Sequence, residues 1–222
     1  MEREKSLDLV FDLDGTLIDS APDLHACLNR LLGADGRRRL DLAEVVAMVG
    51  DGVPALVRRA YRATGGIPGD IEDRIAHYRA IYGDSLTDRT VAYPGVAETL
   101  ARLFDAGYRM AVCTNKPHAP TMAILDALGL AGFFKSVAGG DSLPVRKPDP
   151  GHLLGLLKML GSGPERAVMI GDSRNDIQVA INAGVRSIAV SYGYRREPVE
   201  ELGANVIIDS FAEIPEALER LD

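Results

Sequence analysis

Tryptophan is absent from the 222-residue chain, phenylalanine occurs five times and cysteine twice. With aromatics at 5%, no stacking platform for a nucleobase is evident. Cys27 and Cys113 lie far apart without metal-ligand spacing, so both read as buried thiols of a reducing compartment. No segment approaches the roughly 20 apolar residues that span a bilayer. The opening stretch, MEREKSLDLVFD, carries too short an apolar run for a signal peptide. Basic blocks are missing as well. Lys and Arg number 25 against 32 Asp and Glu, a net charge of −7, and Arg37-Arg38-Arg39 reads as a solvated loop. The four histidines, His25, His77, His118 and His152, are scattered without ligand spacing. These absences predict a cytoplasmic protein with no nucleic-acid and no membrane partner. They leave it open between monomer and homodimer.

Hydrophobic residues make up 46% and charged residues 26% of the chain, a balance that fills a sizeable core. The stretch LDLVFDLD is a near-continuous apolar run suited to a strand covered on both faces. From Tyr93 onward strands and helices alternate: VAETLARLFDAG sets Val96, Leu100, Leu103 and Phe104 on one helical face, and YRMAVCT, SVAGG, RAVMIGD, SIAVSYG and NVIID read as strands. Such alternation implies parallel strands joined by crossover helices. Residues 20 to 82 break the rhythm. Leu24, Cys27, Leu28, Leu31 and Leu32 follow helical spacing behind a Ser20 cap and Pro22. Leu42, Val45, Val46 and Val49, then Val53, Leu56, Val57 and Tyr61, then Ile71, Ile75 and Tyr78 continue the pattern. The fold class is therefore α/β: a Rossmann-like parallel sheet with helices on both faces, plus an inserted all-helical unit. The core takes residues 1–16 and 91–222, and the insertion 17–90.

Asp12 and Asp14 sit within that first apolar run, where an isolated carboxylate is expensive to bury. In an open parallel sheet, chemistry gathers beyond the carboxyl ends of the strands. Asp12 and Asp14 stand at such an end, as do Thr114-Asn115 and Asp172, and Lys147 lies in the loop after SVAGG. Each has a plain reading alone: turn residue, solvated lysine, or, for GDSRND, a helix N-cap with Asp176 in the first turn. Together they suit hard oxygen ligation of Mg²⁺ by Asp12, Asp14 and Asp172, with Thr114, Asn115 and Lys147 holding an anion beside it.

DLVFDLDGTLIDS, CTNK, RKPDP and GDSRND, in this order, resemble the four motifs of the haloacid dehalogenase superfamily of phosphohydrolases, from Asp8 to about Tyr194. Within it, MVGDGVPALVRRAY, YPGV, GGDSLPVRKPDP and SYGY resemble the branch that hydrolyses 2-phosphoglycolate. The resemblance implies that Asp12 is the nucleophile forming an aspartyl-phosphate and that Asp14 is the general acid and base. Mg²⁺ would bind the Asp12 carboxylate, the Asp14 backbone carbonyl and Asp172. Asp176 would order metal-bound water or Lys147, which pairs with Asp12 and the phosphoryl oxygens. The insertion would be a mobile cap, with Gly50-Asp51-Gly52 reaching the site and Arg58 or Arg59 meeting the substrate carboxylate.

A closing cap is expected to leave little room, favouring a small phosphorylated metabolite. Dehalogenase chemistry needs no acid at position 14, and a non-catalytic scaffold would have lost a motif residue. A sugar phosphomutase like β-phosphoglucomutase shares all four motifs, and a phosphatase of another small phosphate or pyrophosphate remains a further alternative.

Overall fold

The apolar run that opens the chain forms the middle of a sheet. The computed structural model describes residues 7–194 and 196–221, so the charged stretch before Leu7 lies outside the described residues. Its strands are β1 (Asp8–Phe11), β2 (Ile18–Asp19), β3 (Val91–Ala92), β4 (Arg109–Cys113), β5 (Phe134–Ala138), β6 (Ala167–Gly171), β7 (Arg186–Val190) and β8 (Val206–Ile208). Helices α1 (Ala21–Ala34), α2 (Leu42–Val46), α3 (Val53–Ala63) and α4 (Ile71–Gly83) lie between β2 and β3. The remainder are α5 (Val96–Asp105), α6 (His118–Ala127), α7 (Pro150–Met159), α8 (Arg174–Ala183) and α9 (Ile214–Glu219). No described helix is long and apolar enough to cross a membrane.

The six-stranded sheet runs β5-β4-β1-β6-β7-β8 and every pairing is parallel. Side chains alternate across it. Leu9, Phe11, Val112 and Ile170 face the layer containing α5, α6 and α9, and Val10, Ala111, Cys113 and Met169 face α7 and α8. Both faces are dry, which is why β1 reads as an unbroken apolar run rather than an alternation. The Phe11 ring packs tilted against Phe211 at 5.7 Å and edge-on to Phe134 at 6.2 Å. Truncating such a ring to alanine typically costs about 3–5 kcal/mol.

Helices α1 to α4 bury a separate cluster that includes Leu28, Leu31, Val57, Tyr61, Ile75 and Tyr78. The chain leaves and re-enters the sheet side by side, because β2 and β3 pair antiparallel with Asp19 opposite Val91. Tyr194, from the loop after β7, packs into this helical cluster from the sheet side.

Three local expectations change. Phe104 is 49% exposed: Val96, Leu100 and Leu103 fill the buried stripe of α5, and Phe104 falls one residue further round, edge-on to Phe133 at 6.0 Å. Leu42 is 45% exposed, because α2 is a short helix started by the Asp41–Glu44 capping box, and only Val45 of it is buried. Ser20 does not cap α1 with its side chain. Its hydroxyl donates to Asp14 Oδ1 at 2.6 Å, and the Ala21 N–H is met instead by Asp19 Oδ1 at 3.2 Å and the Tyr194 hydroxyl at 2.8 Å.

Candidate active site

Four neighbouring strands of the sheet, β5, β4, β1 and β6, deliver the polar residues at their carboxyl ends. Chain order reverses across β1, which lies between β4 and β6, the place where open α/β sheets form a crevice. Asp12 follows β1, Thr114 follows β4, Asp172 follows β6, and Lys147 comes from the loop between β5 and α7.

Lys147 is the hub. Its Nζ donates to Asp12 Oδ1 at 2.8 Å, Asp176 Oδ1 at 2.6 Å and the Cys113 carbonyl at 2.6 Å. Three N–H groups meet three acceptors, so a side chain only 3% exposed is fully satisfied. Asp176 spends its other oxygen on Ser173, accepting from the backbone N–H at 3.0 Å and the hydroxyl at 2.6 Å. It is thus both the first-turn residue of α8 and a partner of Lys147. Asp172 accepts from the Tyr194 N–H at 2.5 Å and the Thr16 hydroxyl at 3.3 Å.

Carboxylate oxygens of Asp12, Asp172 and Asp176 lie within 4.8 Å of one another, and all three residues are buried. Burial, then Asp176, pushes the Asp12 carboxyl up to about 7 against the pull of Lys147. Burial, Asp176 and Asp12 hold Asp172 well above its usual range. The contact cluster of Asp12, Asp14, Asp172 and Asp176 with Lys116 and Lys147 sets four carboxylates against two ammonium groups. An all-oxygen donor set suits a hard divalent cation, whose binding requires these carboxyls ionised. Glycine brings the backbone onto this cluster. Gly15 has φ +90°, and a Cβ on it or on Gly193 would collide with the Asp172 carboxylate.

Asp14 lies outside the trio. Both its oxygens accept from Lys116 Nζ, at 2.9 and 3.1 Å, and Oδ1 also takes the Ser20 hydroxyl. Burial works against the Lys116 charge, but Asp14 and Tyr82 together more than offset it and keep the amine raised. Lys116 Nζ also lies 4.9 Å from the centroid of the Tyr82 ring on α4.

Asp12, Asp14 and Lys116 line one cavity of about 830 Å³, walled opposite by Leu24, Val53, Leu56 and Tyr82 of the helical insertion. The volume lies in the upper part of the range of drug-sized ligand sites, roughly 300–1,000 Å³. The expectation of a cramped site is therefore not met.

Thr114 and Asn115 reach this cavity too, though differently from a simple anion clamp. The Thr114 hydroxyl accepts the Lys116 N–H at 3.2 Å. Both Asn115 side-chain donor bonds are spent at 3.0 Å, on the Gly50 and Lys147 carbonyls, tying the insertion to the lysine loop. Gly50-Asp51 is latched further. Asn175 donates to Gly50 O at 3.2 Å and Asp51 Oδ1 at 2.7 Å, and Arg196 donates to Asp51 Oδ2 at 2.9 Å. Arg59 pairs with Asp51 at 2.5 Å and Arg58 pairs with Glu72. Neither arginine lines the cavity; the cations that do are Lys116, Arg79 and Arg146.

The haloacid dehalogenase-like hydrolase family model matches residues 9–190. The chain belongs to that family. This hydrolase is 43% identical over 212 residues to the phosphoglycolate phosphatase of Caulobacter vibrioides, covering 94% of this chain and 89% of that one. It is 44% identical over 212 residues to the phosphoglycolate phosphatase of Rhodospirillum rubrum, covering 93% and 88%. The crystal structure of a predicted phosphoglycolate phosphatase from Haemophilus somnus 129pt superposes with a TM-score of 0.92 at 32% identity, covering 97% of this chain and 99% of that chain.

The structure adds Lys116, Ser20 and Tyr194 to the site residues. All three stand inside the motif stretches CTNK, DLVFDLDGTLIDS and SYGY, but their partners are brought together only by the fold. Of the histidines, His152 is buried, with Nε2 3.1 Å from the Gly139 carbonyl.

Proposed function

We propose that this hydrolase is a Mg²⁺-dependent phosphatase of small phosphate monoesters, with 2-phosphoglycolate as substrate and glycolate and phosphate as products. The observation that carries the reading is the division of labour between two carboxylates two residues apart. Asp12 is held by Lys147 within the acidic trio, and Asp14, outside the trio, is paired with Lys116 of the cavity lining. The named relatives give the substrate.

Asp12 supplies the nucleophilic oxygen. It attacks phosphorus, the bond from phosphorus to the ester oxygen breaks, and the departing alkoxide takes the proton of the Asp14 carboxyl. Asp14 then removes a proton from the water that attacks the aspartyl-phosphate, and the bond from phosphorus to Asp12 breaks to give inorganic phosphate. An anionic nucleophile approaching a phosphate dianion is repelled, and Lys147, fixed at 2.8 Å from Asp12, offsets part of that repulsion. Asp12, Asp172 and the backbone carbonyl of Asp14 would hold Mg²⁺, with Asp176 beside them ordering Lys147. When bound, the ion supplies charge neutralisation at the phosphoryl oxygens.

The insertion, residues 17–90, acts as a cap. Its Gly50-Asp51-Gly52 loop meets the core through Asn115, Asn175 and Arg196, and its closure excludes water from the cavity. A panel of phosphate monoesters assayed with and without Mg²⁺ tests the proposal. Phosphoglycolate should lead in kcat/KM. A lead by glucose 1-phosphate isomerisation would replace the phosphatase by a phosphomutase.

A further inference from the structure

A cavity of about 830 Å³ cannot select a two-carbon phosphate by size, so selection has to come from where its charges are met. The place of the leaving group is set by Asp14, which must reach the ester oxygen to protonate it. In phosphoglycolate one methylene separates that oxygen from the carboxyl carbon. By covalent geometry a carboxylate oxygen then lies about 3 Å from the ester oxygen, close to whatever flanks Asp14. The cation that flanks Asp14 is Lys116, with Nζ at 2.9 and 3.1 Å from the two Asp14 oxygens.

We infer that Lys116 reads the carboxylate of the leaving group and makes this hydrolase selective for phosphate esters of 2-hydroxy acids. The inference rests on the phosphoglycolate reading and names the residue behind it. The Lys116 nitrogen contacts both Asp14 oxygens and stands at the cavity lining beside the Tyr82 ring, so its positive charge is presented where the leaving group lies. The Tyr82 ring packs beside Nζ and belongs to the cavity wall, so it holds the ammonium at the lining. Arg79 and Arg146 also line the cavity, but no contact ties either of them to Asp14.

The test compares kcat/KM for 2-phosphoglycolate with that for ethyl phosphate, which has the same chain length without the carboxylate. The enzyme is assayed with Mg²⁺ as wild type, Lys116→Met, Lys116→Arg, Arg79→Ala and Arg146→Ala. A charge-assisted hydrogen bond corresponds to about 10- to 100-fold, so Lys116→Met should lower the phosphoglycolate-to-ethyl-phosphate ratio by that factor. Lys116→Arg should retain most of it. Lys116→Gln, which can still donate to Asp14, repeats the test should the methionine variant fail to fold. If Lys116→Met lowers both activities equally, Lys116 only positions Asp14 and the inference is overturned. It is equally overturned if Arg79→Ala or Arg146→Ala is the variant that collapses the ratio. A wild-type ratio near one would instead overturn the phosphoglycolate reading itself.

Discussion

The ammonium of Lys147 donates to Oδ1 of Asp12 across 2.8 Å, although 135 residues separate the two in the chain. The same nitrogen bonds Asp176, so its removal strands two buried carboxylates. Breaking a buried ion pair from one side costs about 3–5 kcal/mol. Lys147→Met in chelator should lose stability of that order by urea denaturation. An unchanged midpoint and slope would show that the pair does not hold the strand ends together.

Asp12→Asn keeps the shape of the side chain and removes its nucleophilic charge. Acid quenching of the wild type during turnover should trap a phosphorylated protein, and the variant should give none. A phosphoenzyme formed by Asp12→Asn would reassign the nucleophile.

The acidic trio makes stability depend on pH in an unusual direction. The folded Asp12 carboxyl titrates near 7, above its ordinary 3.8, so the folded chain binds that proton more tightly than the unfolded one. Its contribution is therefore present at low pH and lost as pH rises toward and past about 7. In chelator, Asp12→Asn should melt above the wild type at pH 8 and lose that advantage by pH 5. Mg²⁺ requires ionised ligands, so the stabilisation it gives the wild type should grow over the same interval. A difference between the two melting curves that stays flat with pH would refute the elevated carboxyl.

Asn175 fastens the Gly50-Asp51 loop to α8 through two hydrogen bonds. Asn175→Ala should raise KM several-fold while shifting unfolding by only about 1 kcal/mol, the usual worth of such bonds. Steady-state kinetics beside a thermal melt separates the two effects. An unchanged KM would detach this loop from substrate binding.

What the sequence determined by itself was most of what short-range pattern carries, with Phe104, Leu42 and the Ser20 cap as the exceptions. A both-faces-buried strand leaves the continuous run Leu9-Val10-Phe11, and amphipathic helices leave stripes such as Val53, Leu56, Val57 and Tyr61, all of them buried. The strand-end carboxylates and Lys147 were legible for the same reason, because parallel topology alone puts strand ends on one edge. Tertiary structure decided which charge answers which. Asp14 faces Lys116, 102 residues away, and Ser20 gives its hydroxyl to Asp14 rather than to the helix behind it. The trio brings Asp176 beside Asp12 and Asp172, and Arg59 turns to Asp51 instead of the cavity. Electrostatic and hydrogen-bond partners are chosen by distances of a few ångströms between segments far apart in the chain. Hydrophobic periodicity fixes the face a residue presents but not those distances, so the partners emerge only once the sheet and the helical insertion have packed.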